Sequence, residues 1–598
     1  MKSLFYFFNL PQRKLSTYFK NQTYRRWLAR YKAKRSKQSQ ELLHELAAIS
    51  SESLPTISVI LPVCNPPLSF LQAAVASVQH QIWKHWELCI VDDGSTAHGI
   101  LDYLKDLQKK EPRLKLAFHA EQQGIAATTN DALALASGEF VAFLDHDDLL
   151  APEALAESIL AITQHPDVGL LYSDEDKIDA RGDRCDPFFK PDWNPDLLTS
   201  LNYCCHLSVL RRSLIIELGG IDTTVEGAQD WDLLLRATER LKATQIVHIP
   251  KILYHWRISR HSTAGSIKAK PHVTAASQRV LENHLRRIKR SFLNIENVHL
   301  GGHWHVNYTL PDPAPCVSII IPNRDQKKLL QSCVESIQTK TDYPDYEILI
   351  ADNDSQDLDL LAYYREQSSK KKIRVIKIPG PFNYSSINNR AVREARGEVL
   401  LLLNNDVEVI HPSWLHEMVS HAIRPEIGAV GALLYYPDGR IQHAGVVLGI
   451  AGSMKVNGVA GHIGKYFSGE EPVAGNRMRV VQNFSAVTGA CLAVRKKLYE
   501  EVGGMDEQTL PVSFNDVDFC LKLHAAGYRN LWTPFAKLIH HESKSRKSDN
   551  TPAKRKRFRQ EIAVMRTRWG SLLDNDPAYN PNLTLEHENW GLAWPPRI

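Results

Sequence analysis

Residues Ile57–Pro62 read ISVILP, and 260 positions later Val317–Pro322 read VSIIIP. The same spacing carries Asp92-Asp93-Gly94-Ser95 onto Asp352-Asn353-Asp354-Ser355. An offset of 259 carries Asp145-His146-Asp147 onto Asn404-Asn405-Asp406, and one of 286 carries Gln229-Asp230-Trp231-Asp232 onto Asn515-Asp516-Val517-Asp518. A fixed order at nearly fixed spacing means two copies of one domain; the period is far too long for a solenoid. Copy one is placed at 55–260 and copy two at 314–545. A basic arm (1–54), a helical connector and linker (261–313) and a basic, aromatic C-terminal extension (546–598) complete the chain.

Working outward from ISVILP, strand-like apolar runs cover Ile57–Val63, Glu87–Val91, Leu114–His119, Phe140–Leu144 and Val168–Tyr172. Helix-like stretches such as Leu68–His80 and Ile125–Ala136 lie between them. Continuous apolar strands separated by helices indicate an α/β fold with a mainly parallel sheet covered on both faces. Ligands of such sheets bind at the carboxyl ends of the strands, where the acidic motifs fall. In the connector, Val273, Ala276, Val280, Leu281 and Leu285 share a helical face within Lys270–Arg290. Gly301–Pro315 reads as a linker.

The chain of 598 residues is 43% hydrophobic and 23% charged, an ordinary globular balance that excludes a mainly disordered or collagen-like protein. No run reaches the ~18–20 apolar residues of a membrane-spanning helix, and no signal peptide is read, so the expected location is cytoplasmic. Nine cysteines without a CxxC suit reduced thiols rather than a disulfide or zinc framework. The net charge of +5 is uneven: residues 1–50 hold 11 Lys/Arg against two Glu, and the remainder sums to −4.

Each motif has a chemistry. In Phe143–Asp148, FLDHDD, a strand delivers carboxylates at its end, and the pleat turns Asp145 and Asp147 to one side. Two or three oxygens plus phosphates suit a hard divalent ion, Mg or Mn. Copy two keeps Asp406 but has Asn404 for the first carboxylate. Asp92, Asp93 and Asp352 can accept hydrogen bonds from a base or ribose; the bland alternative is an Asp-Gly turn. Asp230 and Asp516 open helical stretches, where a carboxylate is favoured by the backbone dipole and can act as general base toward an acceptor hydroxyl. His255 follows Asp230 by 25 residues, and His540 and His541 follow Asp516 by 24–25. These histidines are candidates to complete a metal shell, with Arg257, Lys544 and Arg546 near enough in sequence to meet phosphate. No GxGxxG or GxxxxGK[ST] occurs, so dinucleotide and P-loop readings lack support.

Read together, ISVILPVCNP, IVDDGS, FLDHDD and GAQDWDLLLR in copy one resemble a family 2 glycosyltransferase of the GT-A fold. So do VSIIIPNRDQ, IADNDS, LLNNDVEV, VTGACLAVRKKLYEEVGGMDE and FNDVDFCLKL in copy two. The tandem arrangement is similar to bacterial O-antigen, capsule or rhamnan assembly enzymes, a likeness strengthened by LYSDEDKID, FKPDWNPDLL and IQHAGVVLG. The resemblance implies two tandem Rossmann-like domains and inverting transfer of a hexose or deoxyhexose from a nucleotide-diphosphate sugar, with Mn or Mg. It implies donor contacts at Asp92, Asp93, Asp352, Asp145 and Asn404. Metal ligands would be Asp145, Asp147 and His255 in copy one, and Asp406 and His540 in copy two, with His541 the alternative register. The bases would be Asp230 and Asp516.

The acceptor implied is a growing surface polysaccharide or lipid-linked glycan. The aromatic, basic N-terminal arm (Phe5, Tyr6, Phe7, Phe8, Tyr18, Tyr24, Trp27, Tyr31) suits either peripheral contact with an anionic membrane or packing on the first domain. No nucleic-acid module is present. Rival readings are one active domain beside a degenerate positioning domain, and a non-catalytic carbohydrate-binding protein.

Overall fold

A computed structural model describes residues 12–47, 54–258, 271–299, 302–450, 458–468, 474–542 and 551–598. Its two large sheets, of nine and ten strands, share one strand order. In copy one Leu114–Phe118, Trp86–Asp92, Ile57–Val63 and Phe140–Phe143 run parallel. Ser208–Arg211 then reverses, pairing antiparallel with Phe140–Phe143 and with Leu170–Ile178, and Ile246–Arg257 follows parallel to the latter. In copy two Ile373–Lys377, Tyr346–Asp352, Val317–Asn323, Val399–Leu403, Cys491–Arg495, Ile427–Tyr435 and Arg529–His540 repeat that order. The strands read as apolar runs because helices cover both faces; along Ile57–Val63 only Pro62 is not fully buried.

The same polar joint braces both copies. Ser58 Oγ donates to Glu87 at 2.6 Å and accepts from Gly138 N at 2.9 Å. Ser318 Oγ donates to Glu347 at 2.7 Å and accepts from Gly397 N at 2.8 Å. Both glycines are needed for the close approach: a Cβ at Gly138 would lie 2.7 Å from the Thr56 carbonyl oxygen, and one at Gly397 2.8 Å from that of Cys316.

Ladder register fixes residue equivalence more sharply than sequence offset. Phe140 pairs with Arg211 and Val399 with Arg495, so Ser208 corresponds to Leu492. Ser208 pairs with Tyr172 and Leu492 with Gly431, so Asp176 corresponds to Tyr435. Asp176 pairs with His255 and Tyr435 with Ile539. The short strands agree, since Leu149 pairs with His255 and Glu408 with Ile539. His255 therefore corresponds to Ile539, and His540 to Trp256. The expected match of His255 with His540 or His541 gives way to this register.

The connector helix spans Pro271–Arg287 and buries Ala276, Val280, Leu281 and Leu285. The linker expectation for 301–315 is corrected in part: His303–Tyr308 is a strand, paired antiparallel with Phe292–His299. Its alternation buries Trp304, Val306 and Tyr308, a signal hidden by the flanking Gly and Pro. Across the two copies, Asn194 Nδ2 donates to the Asn483 carbonyl, and Asn483 N donates back to Asn194 Oδ1. Burial would raise the Asp196 carboxyl, but Arg424 and Arg529 hold it well below the usual range.

Helix Gln12–Ala47 packs on copy one. Tyr24 donates to Asp176, Tyr31 accepts from Ile252 N, and Trp27 donates to the Ala593 carbonyl of the C-terminal extension. These three aromatics are core residues, so the packing alternative describes them. Phe5–Phe8 lie outside the described residues. Among the described residues no helix is long and apolar enough to cross a membrane.

Candidate functional site

In copy one the acidic turn after Phe140–Phe143 is clamped from Ile246–Arg257. Tyr254 OH and Arg257 N each donate to Asp148 at 2.7 Å, and Arg257 Nε donates to the Asp147 carbonyl at 2.6 Å. Burial pushes the Asp148 carboxyl well above its ordinary range, with Asp145 adding to the rise. Asp147 is also raised, by burial first, and Asp145 adds to it.

Asp230 is the second residue of helix Gln229–Thr238, and Asn202 Nδ2 donates to it at 3.0 Å. Burial raises its pKa; Trp231 N–H and His206 oppose the rise, and the nearby Asp145 charge supports it. A raised carboxyl pKa strengthens a general base. Asp232, two residues on, faces the other way and is held by Arg236 at 2.6 Å. The Asp-x-Asp spacing thus separates a site residue from a structural one.

The sequence reading missed His206. Its backbone N and Nδ1 contact Glu175 Oε2 at 2.7 and 3.0 Å. Its ring lies against Tyr254 and Trp256, with centroids 5.3 and 4.4 Å away. Burial alone would lower this imidazole, but Glu175, with Asp148 and Asp145, pushes it up to about 9. Burial would raise Glu175; Lys190 and His206 hold it down at about 2. A cation thus sits beside the acidic turn.

His255 does not join Asp145 and Asp147. Its Nδ1 meets Asp176 at 2.6 Å, and Asp176 also takes Tyr24 and Arg184. Side chains alternate along a strand, so His255 faces away from its neighbour Tyr254, whose hydroxyl meets Asp148 in the acidic turn.

In copy two the expected residues do meet. His540 Nε2 is 3.2 Å from Asp406 Oδ1 and 3.5 Å from Asn404 Nδ2, and its Nδ1 is 3.3 Å from Gln442 Oε1. Tyr384 OH bridges Asn404 Oδ1 at 3.3 Å and the Gly489 carbonyl at 3.0 Å. Gly489 N donates to Asp516 Oδ2 at 2.8 Å. Asp516, in the first turn of helix Asn515–Ala525, is raised by burial against the pull of those N–H groups. Asp518 is structural, held by Arg568 and Trp569. His541 turns to Glu408 at 2.9 Å. Lys544 and Arg546 lie outside the described residues.

The candidate nucleoside residues stand at the ends of Trp86–Asp92 and Tyr346–Asp352. Asp92 accepts from Ser95 N at 2.9 Å. Asp93 accepts from Gln123 N, Gly124 N and His119 Nδ1 at 2.7, 3.0 and 2.8 Å. Burial would raise Asp93, but those donors hold it below its ordinary value. Asp352 accepts from Tyr364 OH at 3.1 Å. Asn353 replaces Asp93 with an inverted set: its Nδ2 donates to the Ile378 and Gly380 carbonyls at 3.0 and 2.9 Å. One exchange of acceptor for donor explains that departure between the copies.

Among the described residues, no group of three or more His, Cys, Asp or Glu is arranged to hold a metal ion. The candidate donors are two per copy: Asp145 and Asp147, or Asp406 with His540. That number suits Mg or Mn shared with substrate phosphates rather than an all-protein cage.

Residues 58–219 and 318–502 each match the family described as Glycosyl transferase family 2. Over 542 residues, 90% of this chain, the sequence is 45% identical to an uncharacterized protein of Sinorhizobium fredii and 38% identical to O-antigen biosynthesis protein RfbC of Myxococcus xanthus. The matches cover 59% and 41% of those proteins, so the chain spans about half the length of these relatives. Among solved structures, TarS of S. aureus is similar at 20% identity, with TM-score 0.31, over 38% of this chain and 64% of that one. A mannosyltransferase from Pyrobaculum calidifontis is similar at 17%, with TM-score 0.32, over 50% and 74%.

Proposed function

The chain belongs to glycosyl transferase family 2, and from that premise we propose that both copies are inverting glycosyltransferase sites. Each would move a hexose or deoxyhexose from a nucleotide-diphosphate sugar to a growing surface polysaccharide or its lipid-linked precursor. The observation that carries this reading is the pairing, in both copies, of a first-turn helix carboxylate of raised pKa with a strand-end acidic turn. A binding module needs no such base.

Asp92 and Asp93, and Asp352 in copy two, shape the nucleoside end. Asp145 and Asp147, or Asn404, Asp406 and His540, would hold a divalent Mn or Mg ion together with the diphosphate. Such an ion, when bound, neutralises charge on the leaving diphosphate. Asp230 or Asp516 takes the proton of the acceptor hydroxyl as that oxygen attacks the anomeric carbon from the face opposite the diphosphate. One displacement inverts that carbon, and holding two substrates in line supplies much of the rate. The likeness to an O-antigen biosynthesis protein supports a polysaccharide acceptor.

The test is nucleoside diphosphate release from a panel of nucleotide sugars, with Mn or Mg, with and without lipid-linked acceptor. Acceptor-dependent release from one or two donors is expected. Glycan binding without turnover of any donor would contradict the reading.

A further inference from the structure

Apart from His146 within the copy-one turn, whose Nδ1 meets the Pro62 carbonyl at 3.3 Å, each copy sets an imidazole from elsewhere in the chain beside its acidic turn, and the two come from different places in the sheet. In copy two it is His540, 3.2 Å from Asp406, near the end of Arg529–His540. The ladder register puts Trp256 at that position in copy one. His206 stands against that Trp256 ring, two residues before strand Ser208–Arg211. Carried along the antiparallel register, His206 corresponds to Ala490. Copy one therefore has His206 and Trp256 at the positions where copy two has Ala490 and His540.

The surroundings of His206 resemble a mount rather than core filling. Glu175 takes both the backbone N–H and Nδ1, and Lys190, fully buried, anchors Glu175 at 3.2 Å. That fixes the ring through one nitrogen. Nε2 makes no hydrogen bond to a described residue, and the side chain is 19% exposed. The ring is close enough to Asp145, Asp148 and Asp230 to act electrostatically on those three carboxylates. His540 is mounted likewise, with Nδ1 toward Gln442 and Nε2 toward Asn404 and Asp406.

We propose that His206 is a site imidazole of copy one, taking there from a different place in the sheet the part proposed for His540 in copy two: presenting Nε2 to the ion-bound diphosphate of the sugar donor. The inference rests on the two-site reading above. It makes His206 a donor-contacting residue that has no counterpart in the repeat.

The experiment measures nucleoside diphosphate release by the full chain carrying Asp516→Asn, so that copy one's transfer is followed, with UDP- and GDP-sugars, Mn and acceptor. His206→Ala lowers release at least tenfold, and His206→Gln, which keeps an N–H donor, loses less. Adding Trp256→His to His206→Ala returns the ring from the copy-two position and restores release to within about fivefold of the background. Melting temperatures of the same proteins separate loss of fold from loss of function. His206→Ala within twofold of the background, or a loss in a folded protein that Trp256→His leaves untouched, overturns the assignment. If the Asp516→Asn background releases nothing while Asp230→Asn does, the two-site reading fails instead. The swap is then decided in copy two, where His540→Trp loses release and Ala490→His added to it restores release; a loss that Ala490→His leaves untouched overturns the assignment there.

Discussion

Around its acidic turn copy one carries Asp145, Asp147, Asp148 and His206, where copy two has Asn404, Asp406, Val407 and Ala490. Behind those differences the scaffold barely changes. The strand order is the same, and the Ser58–Glu87–Gly138 joint recurs as Ser318–Glu347–Gly397 with distances matching to 0.1 Å. A duplicated domain keeps what its own packing demands in both copies, because each sheet must bury its own strands. It is free to diverge where the only neighbour is a ligand. The helix-start carboxylates Asp230 and Asp516 are the exception, kept in both copies, as the proposed base chemistry requires.

That contrast is tested most strongly at the carboxylates. Asp230→Asn and Asp516→Asn each remove a different transfer by roughly 10²–10⁴-fold, the usual weight of a general base, with melting temperature unchanged. Product analysis after each substitution checks this, and loss of both transfers from either one would break the claim of independent sites.

Next in size is a stability difference between the copies. Copy two leans on the C-terminal extension through Asp576, whose carboxyl, pushed up to about 6 by burial, accepts from Leu448 N, Ser485 OH and Ala578 N. The folded state keeps a proton there that the unfolded chain releases near pH 4. This group's contribution is therefore greatest below about pH 4, is lost as pH rises to about 6 and is flat above, amounting to ~3 kcal/mol. Denaturant melts across pH 4–7 read it. Asp576→Asn starts less stable, since an amide oxygen cannot serve all three donors, and lacks that part of the pH dependence.

Where the copies agree, substitutions should agree too. Gly138→Ala and Gly397→Ala each push a Cβ against backbone oxygen and cost about 1–3 kcal/mol, by similar amounts. A neutral result at either glycine would show that the joint is not common to the two. The smallest effect concerns metal: Asp145→Asn weakens the Mn dependence of copy one and Asn404→Asp strengthens that of copy two, each by roughly tenfold, or ~1.4 kcal/mol. Mn titration of each transfer reads it, and no change at Asn404→Asp would remove that residue from the ion's surroundings.

Much of this was legible in the sequence because it repeats. The strands from Ile57–Val63 onward, and the strand ends and helix starts that carry Asp145, Asp230, Asp406, His540 and Asp516, follow from motifs recurring at near-constant offset. The repeat also misled. It matched His255 to His540, because both lie 24–25 residues after the base, whereas register matches His255 to Ile539. A one-residue slip moves a side chain to the other face of a sheet, and offsets cannot resolve one residue across loops of unequal length. His206 stayed hidden for the complementary reason: with Ala490 as its counterpart, it carries no repeat signal. Tyr24, Trp27 and Tyr31 show a third limit. Basic, aromatic composition fits a membrane surface or a protein groove equally, and only the partners, Asp176, Ala593 and Ile252, decide.

The central claim is two separate sites in one chain. Its most direct test mixes the two blocked proteins, Asp230→Asn and Asp516→Asn, with donor sugars, Mn and acceptor, and reads the product by mass. Each protein alone should stop after its own step, and the mixture should rebuild the full wild-type product. A mixture that makes nothing beyond what either protein makes alone, or one substitution without effect, would contradict two independent sites.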